Sequence, residues 1–398
     1  MYEDIFNDEV FILYDYRFMN SDGLGFSSEV LGRLLHEYRD VIRESVSIPS
    51  EDEWSILIDR FCKEYSDLKG IYERLSLLRG DRRVILYPVE AVRCDEPNTF
   101  PEYEGAGDFI RGFDSLGAIL AFDSSSHSPR GHGLPDYILV NVGYHVTDFV
   151  NSGKEGGSIP YLILMRTSEL DSRILEKYVE HKLFLIDYFM EYISRVMEAL
   201  DGRDVYLFFD ESFNLSYTYA LSAESRSFIA ESFSNVFKYL DDLGVVYGGV
   251  FYTSSSSLTN QLRMLGSIER VVRDSLLINR ILDKPGYSWV FRVESEVLSS
   301  AGIELYTSYV KVGVGNVIRV EFPKSIYESG RYADLLKAVY LDSLMGNGYP
   351  YSLQQAHFQA VLRRDYREAV ESMIADTVGI DPWIRMSRKL YSKRTPVV

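Results

Sequence analysis

The sequence predicts an α/β protein built on a mixed β-sheet with flanking helices. Three observations carry this. Long apolar or alternating runs crowd the middle of the chain, helical stretches lie between them, and two of the runs close on an aspartate. The 398 residues exceed what one ordinary core needs, so a helical annex or a second domain is expected.

The elements follow in order. FILYDYRF near the N-terminus alternates weakly, as a strand does, and SSEVLGRLLHEYRDVIRESV has helical spacing. SEDEWSILIDRFCKEYSDLKGIYERLSLL reads as one helix after Pro49, opened by a capping box from Ser50 to Glu53. RRVILYPVEAV is a strand. Residues 95–112, rich in Pro, Gly and acids, are the best boundary, giving an acidic N-terminal region over 1–112 and a main domain over 113–398.

Beyond the boundary, GAILAFDSSS reads as an apolar strand ending in Asp123, DYILVNVGYHVTDF as a long alternating strand, and IPYLILMRTS as another. Helical spacing runs from about Asp171 to Leu200. DVYLFFDES is a buried strand ending in Asp210, followed by a helix near 223–242 and the strand of GVVYGGVFYTSSSS. In VKVGVGNVIRVEFP the glycines sit between two strand-like runs with no helix after them, so a hairpin turn is the reading and not a phosphate loop. Three more helices complete the chain.

Charge narrows the partners. The net charge is −17, but residues 1–115 hold 25 acids and 13 bases, whereas residues 262–398 hold 15 acids and 19 bases. Any path for a polyanion is therefore local to the C-terminal half. Arg385, Arg388, Lys389, Lys393 and Arg394 follow Trp383 with no acid among them, and a solvated tail explains them equally well. Cys62 and Cys94 are too few for a disulfide framework or a zinc cluster, so a reducing compartment is the default. The acidic start is not a secretory signal, and no apolar run reaches membrane-spanning length. A soluble, cytoplasmic protein is the expectation. The 30 tyrosines suit half-wet surfaces and interfaces.

Asp123 and Asp210 share a setting, each following an apolar run and preceding small or polar residues. Carboxylates at the carboxyl edge of neighbouring strands can share a hard divalent cation; each alone is commonly only a turn former. Two aspartates leave such a cation wanting more oxygen ligands. The helix before Asp210 offers Glu176, Glu180, Glu191 and Glu198, most of them on a solvated face. Counting back along strand and helix from Asp210 lands at about 187–191, which favours Glu191 and leaves Glu180 in reserve. GNGYPYSLQQAHFQA sets Tyr349 eight residues before His357, with a glycine turn ahead and a helix whose first turns carry the histidine. That pair can orient water or hold a phosphate, although a lone histidine is more often structural.

Taken in order, FDSSS, VYLFFDESF, KPGYSWVFR, VIRVEFP and GYPYSLQQAHFQA resemble the motifs of the NurA nuclease family over about residues 117–365. The resemblance implies an RNase H-like core, a homodimer, and Mn²⁺-dependent (or Mg²⁺-dependent) hydrolysis of DNA. It further implies a role in DNA end resection and recombinational repair beside a HerA-type hexameric ATPase translocase at the nucleoid. Carried over by residue, it places metal ligands at Asp123 and Asp210, a helical glutamate at Glu191, and the catalytic Tyr and His at Tyr349 and His357. Two departures are visible: the motifs read DSS and DES without a glycine, and GVFYTSSSS lacks a lysine. They support the alternative of a catalytically weakened subunit serving as a DNA clamp or adaptor for the translocase. A different RNase H-like nuclease, such as a resolvase, is the third reading.

Overall fold

A computed structural model describes residues 49–78, 84–101, 112, 116–127, 137–149, 153–164, 193–194, 196–198, 204–377 and 379. The chain divides into two compact units, residues 1–57 and residues 58–398. The first strand and helix expected near the N-terminus, most of the 171–200 helix with Glu180 and Glu191, and the basic C-terminal stretch lie outside the described residues.

In the first unit, Ser50 and Glu53 close the expected capping box: the Ser50 amide donates to Glu53 Oε2 at 2.7 Å, and the Glu53 amide donates to Ser50 Oγ at 3.3 Å. The helix they open, α1 (Glu51–Ser66), is shorter than expected, because a second helix, α2 (Leu68–Ser76), starts just beyond it. Asp67 separates the two. Its carboxylate accepts the Gly70 amide at 3.0 Å and so begins a helix where sequence spacing alone shows continuity.

Eleven strands among the described residues form one sheet. They are β1 (Ile85–Pro88), β2 (Asn98–Thr99), β3 (Ala118–His127), β4 (Tyr137–Asp148), β5 (Gly153–Leu164), β6 (Val205–Phe209), β7 (Val246–Phe251), β8 (Gly286–Tyr287), β9 (Phe291–Glu294), β10 (Leu305–Gly313) and β11 (Asn316–Pro323). The sheet runs β1-β9-β10-β11-β7-β6-β3-β4-β5, with β8 and β2 branching from β10. β3, β4 and β5 form an antiparallel meander, and β6 and β7 lie parallel to β3. Numbered within this five-strand part the order is 3-2-1-4-5, the mixed order expected of an RNase H-like core. The β10–β11 hairpin turns at Val314 and Gly315, whose φ of +80° suits a residue without a Cβ, and extends the sheet beyond β7.

The described helices after β6 are α3 (Ala223–Asp242), α4 (Ser257–Met264), α5 (Asp274–Ile281), α6 (Glu296–Ser300), α7 (Lys324–Glu328), α8 (Tyr332–Met345), α9 (Tyr351–Ala360) and α10 (Arg364–Thr377). The core lies between sheet and helices: β6 and the first five residues of β3 are buried throughout, and Phe213 packs against Phe209, Phe233 and Phe237 with its ring tilted or edge-on to each. Among the described residues, no helix is long and apolar enough to cross a membrane. Cys62 of α1 and Cys94 form a disulfide, closing a span of 32 residues. The sequence, with two cysteines too few for a disulfide framework and a reducing compartment as the default, did not lead us to expect this bond, since only the fold brings α1 beside the segment after β1.

Candidate metal and nuclease site

The parallel pairing of β3 with β6 puts the two aspartates side by side. Their register runs Ala118↔Val205 through Phe122↔Phe209 and then stops, so Asp123 and Asp210 are the next residues on each strand. The Asp210 amide donates to the Phe122 carbonyl at 3.0 Å, holding the two chains together at that point. Asp123 is not a strand end, as its apolar run led us to expect. β3 continues to His127 against β4, and it is the ladder to β6 that ends there.

Tyr349 and His357 reach the carboxylates from the other end of the chain. Tyr349 Oη donates to Asp210 Oδ1 at 2.7 Å, and His357 Nδ1 lies 2.6 Å from Asp123 Oδ2. The second oxygen of Asp123 accepts the Ser124 amide at 2.7 Å. His357 sits in the last turn of α9 and not in its first turns, with a side chain 60% exposed against 13% for Asp123.

The placement of α9 explains this meeting, and it rests on residues that sequence reading passed over. The polar side of β4, namely Asn141, His145 and Thr147 with Gly143 between them, is covered by α9 instead of facing solvent. Gly143 pairs with Asp123 in the β3–β4 register, and a Cβ there would lie 2.2 Å from the Ala356 carbonyl oxygen and 2.3 Å from the Ala360 amide nitrogen. A side chain at 143 would thus hold the helix off the sheet. Asn141 Nδ2 donates to the carbonyls of Gln359 and Ala360 at 2.9 Å each, and Ser125 Oγ donates to the Ala360 carbonyl. These bonds satisfy carbonyls that a helix end leaves without partners. At the other end, Ser352 pairs with Thr147 and donates through both its amide and its hydroxyl to Asp342. The signal in the sequence was the N-x-G-x-H-x-T alternation, which reads equally well as a wet strand face.

The loop after Asp210 is also fastened. Glu321 on β11 is fully buried and accepts the Phe213 amide at 2.7 Å, the Asn214 amide at 3.1 Å and the Ser212 hydroxyl at 2.9 Å. Its other oxygen pairs with buried Arg319 at 2.7 Å. Gly249 on β7 lets this loop pass close, since a Cβ would lie 2.3 Å from the Glu211 carbonyl oxygen.

Burial pushes the Asp210 carboxyl up to about 6, and the nearby Asp123 charge adds to this, against the pull of the Tyr349 hydrogen bond. Burial raises Asp123 as well, with the His357 and Ser124 bonds opposing it. Burial beside Asp210 also raises the Tyr349 hydroxyl, which stays protonated and donates. Among the described residues neither carboxylate meets a lysine or arginine. Two partly desolvated carboxylates that repel each other, offering hard oxygen donors with no lysine or arginine against them among the described residues, fit a divalent metal. Among the described residues no group of three or more His, Cys, Asp or Glu converges on one metal position. Glu211 makes its charge felt at both aspartates without joining them, and Glu191 and Glu180 lie outside the described residues.

Residues 117–362 match the NurA domain family. No match was found among curated protein sequences. Among solved structures, the chain is similar to the NurA nuclease from Sulfolobus solfataricus, at 13% identity and a TM-score of 0.49, over 89% of this chain and 98% of that one. It is also similar to NurA with manganese, at 13% identity and a TM-score of 0.37 over 77% and 96% of the two chains. A third similar structure is NurA bound to dAMP and manganese, at 13% identity and a TM-score of 0.39 over 90% and 99%.

Proposed function

The chain belongs to the NurA domain family, and from that premise we propose that it is a divalent-metal-dependent nuclease that hydrolyses DNA phosphodiesters. The carrying observation is the carboxylate pair formed where the β3–β6 ladder ends, met by Tyr349 and His357. Asp123 and Asp210 would hold Mn²⁺ or Mg²⁺, completed by Glu191 or, in reserve, Glu180. The bound cation supplies an acidified water and neutralises charge on the phosphate.

The chain's own residues do the rest. Tyr349 keeps one Asp210 oxygen engaged and leaves the other for the cation. His357, oriented through Nδ1 by Asp123, leaves Nε2 free to meet a phosphate oxygen or pass a proton to the leaving group. The reading extends to a homodimer fed with DNA by a HerA-type hexameric ATPase during end resection at the nucleoid. Family membership and the many tyrosines support that extension.

The test is cleavage of single-stranded or frayed DNA by the purified protein with Mn²⁺. Asp123→Asn and Asp210→Asn each slow it by roughly 100-fold or more with unchanged circular dichroism. Wild-type rates in both variants would remove the metal-site assignment. Wild-type protein that binds DNA without cutting it would move the reading to the clamp or adaptor, which the missing lysine after β7 favours. Light scattering showing a monomer at micromolar concentration would remove the dimer.

A further inference from the structure

β7 runs parallel to β6, so the residue after β7 emerges at the same edge of the sheet as Asp210. That residue is Tyr252, and its ring is unusually constrained for one at the surface. One face lies on Tyr349, with ring centroids 4.7 Å apart and planes 29° from parallel. Its hydroxyl donates to the Gly348 carbonyl at 2.8 Å. The residue is nonetheless 52% exposed. Tyr349 in turn donates to Asp210 at 2.7 Å, so a fixed, half-open aromatic surface stands one ring away from the carboxylates.

Resting on the nuclease reading above, we propose that Tyr252 is a stacking platform for a nucleobase next to the scissile phosphate. An aromatic face already held in place loses little freedom when a base settles on it, and every base offers a π-face, so such a contact is tolerant of sequence. A base can reach it only after leaving the duplex stack, so the platform selects single-stranded or frayed DNA at the cleavage position. Its role is separate from metal binding, because Tyr252 touches Tyr349 and Gly348 and neither aspartate.

The experiment compares wild type, Tyr252→Phe and Tyr252→Leu on a single-stranded oligonucleotide, and on the same oligonucleotide carrying one abasic position beside the cleavage point. Tyr252→Leu is expected to raise KM about ten-fold on the intact strand while kcat stays within about two-fold. Tyr252→Phe, which keeps the ring on Tyr349 and loses only the bond to Gly348, is expected to raise KM less than Tyr252→Leu does. On the abasic strand all three should share one raised KM. A wild-type enzyme that cuts, with Tyr252→Leu equal to it on the intact strand, overturns the platform and leaves the nuclease reading standing. A Tyr252→Leu loss of the same size on both strands also overturns it, since that is disturbance of Tyr349 and not lost stacking. A wild type that cuts neither strand ends the nuclease reading, and the platform with it.

Discussion

At the scale of single residues, two buried carboxylates outside the candidate metal site have work to do in the fold. Burial pushes Asp342 up to about 7, partly offset by its two bonds from Ser352. Its folded pKa is therefore above its unfolded value, so the stability it allows is full below about pH 4 and falls as pH rises through 7. Asp342→Asn keeps an acceptor for Ser352 and removes the titration. Urea unfolding at pH 4.5 and pH 7.5 should show a smaller pH difference for the variant than for wild type, by roughly a few kcal/mol. Glu321 acts differently, gathering the 212–214 loop and Arg319 onto one side chain. Glu321→Ala leaves Arg319 buried with its partner gone and should cost about 3–5 kcal/mol in urea unfolding.

Among the elements, α9 decides whether the site is complete. Its docking needs Gly143 for close approach, and Asn141 and Ser125 to donate to the carbonyls of its last turn. Gly143→Ala should therefore draw His357 away from Asp123 and lower kcat by about ten-fold or more while Mn²⁺ affinity in calorimetry holds; unchanged kcat would show that α9 tolerates the displacement. How far such elements were legible depended on the force that makes them. α3 and the β10–β11 hairpin follow local pattern, apolar spacing in one and a glycine turn in the other, and both fell where the sequence put them. β5 begins at Gly153, earlier than its apolar run at Ile159, because Gly156 and Gly157 pair with His145 and Tyr144 on β4 through backbone bonds that no local apolar signal marks. The break at Asp67 was missed for the opposite reason, since one side-chain cap outweighs a spacing that runs on through it. At the site, Asp123, Asp210, Tyr349 and His357 were visible as residue types in family order, and all four meet. Tyr252 and the polar seam of β4 were not, because each depends on a contact between distant segments.

For the whole molecule, the disulfide joins α1 to the segment after β1, across 32 residues. Closing a loop of that size restricts the unfolded chain by about 3.7 kcal/mol in the chain-entropy model. Reduction, or Cys62→Ser, should lower the melting temperature by several degrees and leave DNA cleavage at moderate temperature unchanged, because neither cysteine approaches Asp123 or Asp210. An equal melting temperature with and without reductant would mean that the bond does not form in solution.

The four residues of the site are spread along the chain, with 139 residues from Asp210 to Tyr349 and 234 from Asp123 to His357. On a ribosome adding roughly 5–20 residues per second, Asp123 is made about 10–50 s, and Asp210 about 7–30 s, before the histidine. A half-finished chain can hold both aspartates and still lack the groups that orient them. On the nuclease reading proposed above, the chain thus has no complete site until His357 has been added, and a fragment ending before Tyr349 lacks both groups that meet the aspartates.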